Sequence, residues 1–341
     1  MRRRLRILAL MHEDLVPPED VAGIDTAGAD WKMEFDVTVT LRELGHDVRA
    51  LGLGGDLGML REAIDEFEPQ LAFNLLEGFD DVPALDQNVV AYLEMRKLPY
   101  TGCGARGLVL GRDKVLAKKL LSYHRISVPD FVLVPRGRIP RRPRRLGFPL
   151  IVKSATLDAS VGISQASVVE DDERLAERVR FIHERIGTDA LVETYIDGRE
   201  LYVGILGNRR IEAFPVWELN FSKMPEETRR IATERLKWSL SYQKRHGIMS
   251  GPAASLEEGQ AEQIQKVCKR VFRILGLNGY ARIDLRLEPG GRVYVIEANP
   301  NPQLAYGEDF AESAEKAGIS YEELLQRIVN LGLRWADPMQ H

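Results

Sequence analysis

Ala281-Arg-Ile-Asp-Leu-Arg-Leu287, then Glu288-Pro-Gly-Gly-Arg292, then Val293-Tyr-Val-Ile-Glu-Ala-Asn299 is the passage on which the reading of this chain turns. Two β-rich runs joined by Pro-Gly-Gly predict a hairpin. Strand alternation sends Arg282 and Asp284 to one face and puts Glu297 and Asn299 on a common face of the partner strand. If the two faces coincide, three oxygen-bearing side chains meet beside one arginine. Few protein oxygens, completed by water and phosphate, are what a hard cation such as Mg²⁺ takes. The apolar neighbours Ile283, Leu285, Val295 and Ile296 make unpaired carboxylates costly to bury, which favours a metal there. A surface hairpin with alternating charges remains the plainer alternative.

Upstream, Pro149-Leu-Ile-Val-Lys153 is a continuous apolar strand that delivers one lysine, followed by a loop with Ser160-Val-Gly-Ile-Ser164. A small-residue loop beside a lysine can fold over phosphates through its backbone N–H groups. Lys114 opens a helical stretch expected from Arg112 to Arg125. Ala190-Leu-Val-Glu193 reads as another apolar strand, with Glu200 seven residues beyond Glu193. Each of these charges also has an ordinary reading as a solvated side chain.

The first hundred residues alternate short apolar runs with helical periodicity. Strands are expected near 5–10, 47–51 and 70–75, and helices near 31–44, 57–68 and 84–96. That rhythm predicts a parallel sheet with crossover helices, whose loops around His12 to Asp30 and Glu77 to Pro83 face a ligand. Beyond Arg125, Pro129, Pro135, Pro140 and Pro143 break the chain, and Arg136 to Arg145 holds six arginines, read as a solvated connection or a contact for an acidic partner. A unit of strand, loop, helix and strand follows from Phe148 to about Gly207. Trp217 to Ser250 is polar, with a helical-looking stretch from Glu226 to Arg245. A helix near 256–275, strands at 279–287 and 292–298, and two closing helices complete the chain.

With 341 residues, 44% of them hydrophobic and 29% charged, the chain can build two or three packed domains, and a soluble enzyme is expected. A net charge of −4 offers no overall positive field for nucleic acid or a membrane surface, so any anion must be held locally. Met1-Arg-Arg-Arg before Leu5 to Met11 resembles a signal peptide superficially, but the apolar run is short and passes directly into His12-Glu13-Asp14, so a buried strand is expected. Nothing approaches the roughly 20 apolar residues of a membrane span. Cys103 and Cys268 form no disulfide or metal spacing, which suits a reducing cytoplasm. Cys103, in Thr101-Gly-Cys-Gly104, is expected to pack rather than react.

The order of these landmarks resembles the D-alanine-D-alanine ligase branch of the ATP-grasp superfamily from Phe73 to Leu331. The resemblance rests on Phe73-Asn-Leu-Leu76, Leu98-Pro-Tyr-Thr-Gly102, Asp113-Lys114, Val152-Lys153, Ser160-Val-Gly162, Val192-Glu193 with Gly198-Arg-Glu200, Ala281-Arg-Ile-Asp284, Ile296-Glu-Ala-Asn299 and Ala317-Gly-Ile-Ser-Tyr321. It implies an α/β (α+β) ATP-grasp fold with an N-terminal doubly wound parallel-sheet domain at 1–111, a small ATP-grasp lobe at 112–207 and a metal-bearing lobe at 208–341. It implies ATP held by Lys114 and Lys153 at the phosphates, Glu193 and the backbone near Ile196 at adenine, and Glu200 at ribose. Asp284, Glu297 and Asn299 would carry two Mg²⁺ ions, or Mn²⁺ in their place. The loop of Ser160 and Gly162 would close over the γ-phosphate, and Arg282 would stabilise charge at the reacting centre. The implied reaction joins a small-molecule carboxylate to an amine through an acylphosphate, in a cytoplasmic enzyme whose relatives are often homodimers, with no nucleic acid or membrane partner. A phosphoryl transferase and a non-catalytic ATP-binding regulator are the alternatives on the same fold.

The substrate region departs from the family. Its Gly-rich loop with a glutamate is replaced by His12-Glu13-Asp14-Leu-Val-Pro-Pro-Glu-Asp20, its His-Gly by Glu77-Gly78, and its aromatic, lysine-bearing loop by Asn220-Phe-Ser-Lys223 and the stretch after it. The run after the metal asparagine becomes Pro300-Asn-Pro-Gln-Leu-Ala-Tyr-Gly-Glu-Asp309, with Glu308 about where the family places a serine for a carboxylate. Glu13, Glu77, Glu308 and Asp309 are therefore the candidate substrate residues. They predict a substrate with an amine or other cation, or one without a free α-carboxylate. The alternative is that Glu308 and Asp309 cap the helix starting near Phe310.

Overall fold

The computed structural model describes residues 4–157, 161–221, 229, 231, 233 and 247–334. The expected helical stretch from Glu226 to Arg245 lies outside them apart from three positions. β1 (Arg6–His12), β2 (Asp47–Leu53) and β3 (Leu71–Asn74) form a parallel sheet in the order β2-β1-β3, joined by α1 (Lys32–Glu43) and α2 (Leu57–Phe67). Alternation along β1 feeds two cores. Leu8 and Leu10 join Leu60 and Ile64 of α2, while Ile7, Ala9 and Met11 join Met33, Val37 and Leu41 of α1. Helices thus cover both faces, as the doubly wound reading requires. The strand order reverses at β1, the kind of position beside which open parallel sheets bind ligands at the carboxyl ends of their strands.

Past α3 (Asp86–Met95), the helix expected from Arg112 to Arg125 is α5 (Lys114–Tyr123), and a further helix that was not expected, α4 (Ala105–Arg112), ends just before it. Asp113 causes the break: its backbone is extended, and its carboxylate accepts from the N–H groups of Val115 and Leu116 at 3.0 and 2.8 Å. Gly102, with φ of 88°, turns the preceding loop, and Asn301 Oδ1 accepts from the Cys103 N–H at 2.7 Å. The segment after the metal-site candidates is pinned in this way to the loop between α3 and α4.

β4 (Phe131–Val134), β5 (Leu150–Ser154), β6 (Val168–Val169) and β7 (Ala190–Thr194) form an antiparallel sheet in the order β4-β7-β5-β6, backed by α6 (Asp172–Phe181). A larger sheet runs β11-β10-β8-β12-β13, with β9 beside β8. Its strands are β8 (Arg199–Gly207), β9 (Ile211–Ala213), β10 (Trp217–Phe221), β11 (Ile248–Pro252), β12 (Tyr280–Leu287) and β13 (Val293–Pro300). α7 (Gln260–Ile274) packs Ile264, Cys268 and Phe272 on Leu201, Val203 and Ile283. α8 (Asp309–Lys316) and α9 (Tyr321–Leu333) return to the first sheet, where Phe310, Leu324 and Ile328 share a core with Ile7 and Phe73. In the arginine-rich connection, Arg142 pairs with Asp172 at 2.9 Å and donates to the Leu146 carbonyl. No helix among the described residues is long and apolar enough to cross a membrane.

Candidate active site

The hairpin places its polar residues as strand alternation requires. Arg282 stands opposite Asn299, and Asp284 opposite Glu297. The register then slips, because Leu285 pairs with Val295, which leaves Ile296 as a bulge. Arg282 grips Asp284 with two hydrogen bonds of 2.8 and 2.9 Å, and its guanidinium lies 4.7 Å from the centre of the Tyr202 ring. Burial alone would lower the arginine's pKa, but Asp284 raises it well above the ordinary value. Glu297 Oε2 lies 3.8 Å from Lys114 Nζ, and the buried amide nitrogen of Asn299 has no acceptor among the described residues.

Asp284, Glu297 and Lys114 open onto a cleft of about 850 Å³, its solvent-filled mouth included, between the two antiparallel sheets. Lys114, Lys153, Glu193, Ile196, Glu200, Asp284 and Glu297 all line it. Arg282, Asn299 and Gly162 do not line it, although Arg282 is bonded to Asp284 and Gly162 lies between two lining residues. Glu193 is buried between two lysines, 2.7 Å from Lys153 and 3.0 Å from Lys118. Burial would raise its pKa, but the two ammonium groups hold it below the usual range. Glu200 receives the Tyr202 hydroxyl at 2.8 Å and pairs with Arg286 at 2.6 Å. Val161 and Ile163 border the cleft. Between them Gly162 adopts φ of 72°, and its carbonyl accepts from Arg178, which also donates to Ser167 Oγ at 2.8 Å. Ser160 lies outside the described residues.

Lys118, Arg286 and Arg178 are absent from the sequence-based set. The first two were within reach of periodicity. Lys118 follows Lys114 by one helical turn, and Arg286 continues the alternation of Arg282 and Asp284. Arg178 had no local signal, since α6 meets the loop only in the folded chain.

On the substrate side, Glu13 and Glu77 follow β1 and β3 and are exposed. Glu13 lies along the end of β2, where its carboxylate fills the space a side chain at Gly54 would need. Glu77 instead acts on Glu34 of α1, which is 1% exposed with neither carboxylate oxygen hydrogen-bonded. Burial, reinforced by the charge of Glu77, pushes the Glu34 pKa up to about 7. Glu308 precedes α8 but makes no capping hydrogen bond. Desolvation and Asp309 raise its pKa, against the opposing pull of Lys32 and Arg282. The acids of this segment therefore lie within electrostatic reach of Arg282.

Residues 120–330 match the family model described as the D-ala D-ala ligase C-terminus. The chain belongs to the D-alanine-D-alanine ligase family. It is 31% identical to an uncharacterized protein of Sinorhizobium fredii over 87% of this chain and 86% of that one. It is 29% identical to the D-alanine–D-alanine ligase of Desulforudis audaxviator over 86% of this chain and 90% of that one. In fold it is similar to the D-alanine–D-alanine ligase of Bacillus anthracis complexed with ATP, with a TM-score of 0.74, 22% identity, and coverage of 97% of this chain and 98% of that one. Family membership makes the mixed parallel and antiparallel architecture that of an ATP-grasp protein, and the chain a member of a family of ATP-dependent ligases.

Proposed function

We propose that the chain is an ATP-dependent ligase that joins a carboxylate to an amine through an acylphosphate. The observation that carries this reading is the convergence of Lys114 and Lys153 with Asp284 and Glu297 on one cleft. A carboxylate is a poor electrophile. One of its oxygens attacks the γ-phosphorus of ATP and ADP departs; the amine then attacks the acyl carbon, phosphate leaves with that oxygen, and the amine nitrogen loses a proton.

Lys114 and Lys153 neutralise the phosphates, Glu193 and the backbone at Ile196 face the adenine, and Glu200 takes the ribose. Gly162, with Ser160, covers the γ-phosphate, and Arg282 offsets charge at the acyl centre. Asp284, Glu297 and Asn299 fit a hard divalent cation: the donors are oxygens, and two of them are carboxylates in register. Among the described residues no three His, Cys, Asp or Glu side chains gather into a closed metal cage, which suits ions completed by phosphate oxygens and water. Two Mg²⁺ ions, or Mn²⁺, would supply charge neutralisation at the transferring phosphoryl group.

The substrate reading follows from charge. Glu77 follows β3, and Glu308 and Asp309 lie within electrostatic reach of Arg282, so the substrate pair includes an amine or other cationic group besides the reacting one, or lacks a free α-carboxylate. Glu13 belongs to the same proposal with the weakest geometric support. The three-domain division, a cytoplasmic location and a homodimer formed through the N-terminal sheet complete the reading. ADP release from MgATP, measured over amino acids, amines and short peptides, tests it. Best stimulation by D-alanine alone would remove the substrate part while leaving the reaction class.

A further inference from the structure

Lys118 stands where three parts of the cleft meet. It lies one turn beyond Lys114 on α5, is 2% exposed, and its Nζ donates to the Ile296 carbonyl at 2.9 Å while standing 3.0 Å from Glu193 Oε2. Ile296 is the bulged residue of β13, and Glu297 follows it directly. A bulge leaves a backbone group outside the ladder, and a buried carbonyl without a donor is costly. Lys118 supplies that donor. Its other contact, Glu193, holds Lys153 at 2.7 Å on the neighbouring strand. One ammonium group thus connects the strand that bears the lysine of one sheet to the carboxylate hairpin of the other.

Resting on the ligase reading above, we propose that Lys118 is a positioning residue: through Glu193 and the Ile296 carbonyl it fixes Lys153 relative to the Asp284 and Glu297 pair. The charge arrangement supports an active rather than incidental role. Burying an ammonium group is unfavourable, and desolvation does lower the pKa of Lys118, an effect that Glu193 partly offsets. An apolar side chain such as Met would fill the volume without that cost. It would take from the bulge carbonyl the donor that α5 supplies and leave Glu193 with a single lysine. Lys153 would then swing toward Glu193 with no opposing pull from α5, away from the phosphates it is to meet.

Two variants separate positioning from packing. Lys118→Met removes the charge and both contacts, whereas Lys118→Arg keeps a donor for each. Mg²⁺ with a non-hydrolysable ATP analogue, titrated by calorimetry, reads the geometry without requiring the amino-acid substrates. Lys118→Met is expected to weaken binding by at least about 10-fold, with Lys118→Arg within about 3-fold of the unaltered chain. The acid limb of the affinity is a second readout. Lys118 from α5 and Lys153 from β5 face Glu193, with Lys114 and Glu297 farther along the cleft. Loss of one of the two facing cations raises the pKa of Glu193, so the acid limb moves to higher pH in Lys118→Met and stays in place in Lys118→Arg. Should Lys118→Met fail to fold, Lys118→Gln, which retains a donor for the carbonyl but no charge, is expected to reproduce the shifted limb.

Affinity and acid limb unchanged in Lys118→Met or Lys118→Gln would overturn the proposal. Binding that responds as predicted in a chain that forms no condensed product would sustain it while removing the ligase reading. Absence of nucleotide binding in the unaltered chain would remove both.

Discussion

Asp284 and Glu297 are direct partners across the β12 and β13 ladder, and the register slips immediately beyond them. Asp284 lies against Arg282 and Glu297 near Lys114, so each acid carries a cationic neighbour before any ligand arrives. Asp284→Asn and Glu297→Gln keep shape and remove charge. Each is expected to lower ATP-dependent turnover by about 10²-fold or more and to raise the Mg²⁺ concentration needed for half-maximal rate. A metal titration of ADP release checks both effects, and an unchanged Mg²⁺ requirement would exclude these carboxylates as ligands.

Lys153 is tied to Glu193 at 2.7 Å at the edge of the same cleft. On the proposed reading Lys153→Ala removes a phosphate contact, and it leaves Glu193 with Lys118 alone. The expected result is a fall in turnover of about 10²-fold with the melting temperature little changed, since Lys118 still compensates the buried acid. Steady-state rates beside a thermal melt distinguish this from simple unfolding.

Glu34 carries a stability signature. Its folded pKa of about 7 lies above the ordinary 4.5, so its favourable contribution is fully present below the unfolded value and is lost as pH rises through the folded one. Above pH 7 the buried, unpaired carboxylate costs on the order of 3 kcal/mol. Glu34→Gln should therefore melt several degrees higher than the unaltered chain at pH 8, with the gap shrinking steadily toward pH 5. A pH-independent difference would contradict this account.

Cys103 is buried, and its thiol, pushed up to about 12 mainly by burial, donates to the Asn278 carbonyl at 2.9 Å. Cys268 is equally enclosed, with its pKa likewise raised by burial. Neither should be alkylated by iodoacetamide at pH 8 in the folded protein, and both should react in denaturant. Mass analysis of the intact chain counts the modifications, and rapid labelling of Cys103 in the folded state would reopen its assignment as a packing residue.

Much of the site was readable because its residues sit on regular elements. Period-two alternation alone brought Arg282, Asp284, Glu297 and Asn299 to one face, and the apolar run before Lys153 located its strand. The parallel sheet was likewise legible from the rhythm of the first hundred residues. What stayed hidden depends on contacts between distant segments. The bulge at Ile296 has no glycine or proline to announce it, so the role of Lys118 could not be seen. Helical periodicity from Arg112 onward located α5, but the short α4 before it went unseen, and with it the role of Asp113 in ending one helix and capping the next. Glu34 looked like any acid in the first turn of a helix until Phe73, Tyr280 and Leu304 closed the core around that helix.

The central claim is condensation driven by phosphoryl transfer, and oxygen tracing tests it most directly. The protein is incubated with MgATP, an amine panel, and carboxylates labelled with ¹⁸O, D-alanine among them, and products are weighed by mass spectrometry. The account predicts a product equal to the two substrates less water, one ADP for each product, and one ¹⁸O recovered in inorganic phosphate. ADP accompanied by a stable phosphorylated single substrate, or condensation without label in phosphate, would contradict it.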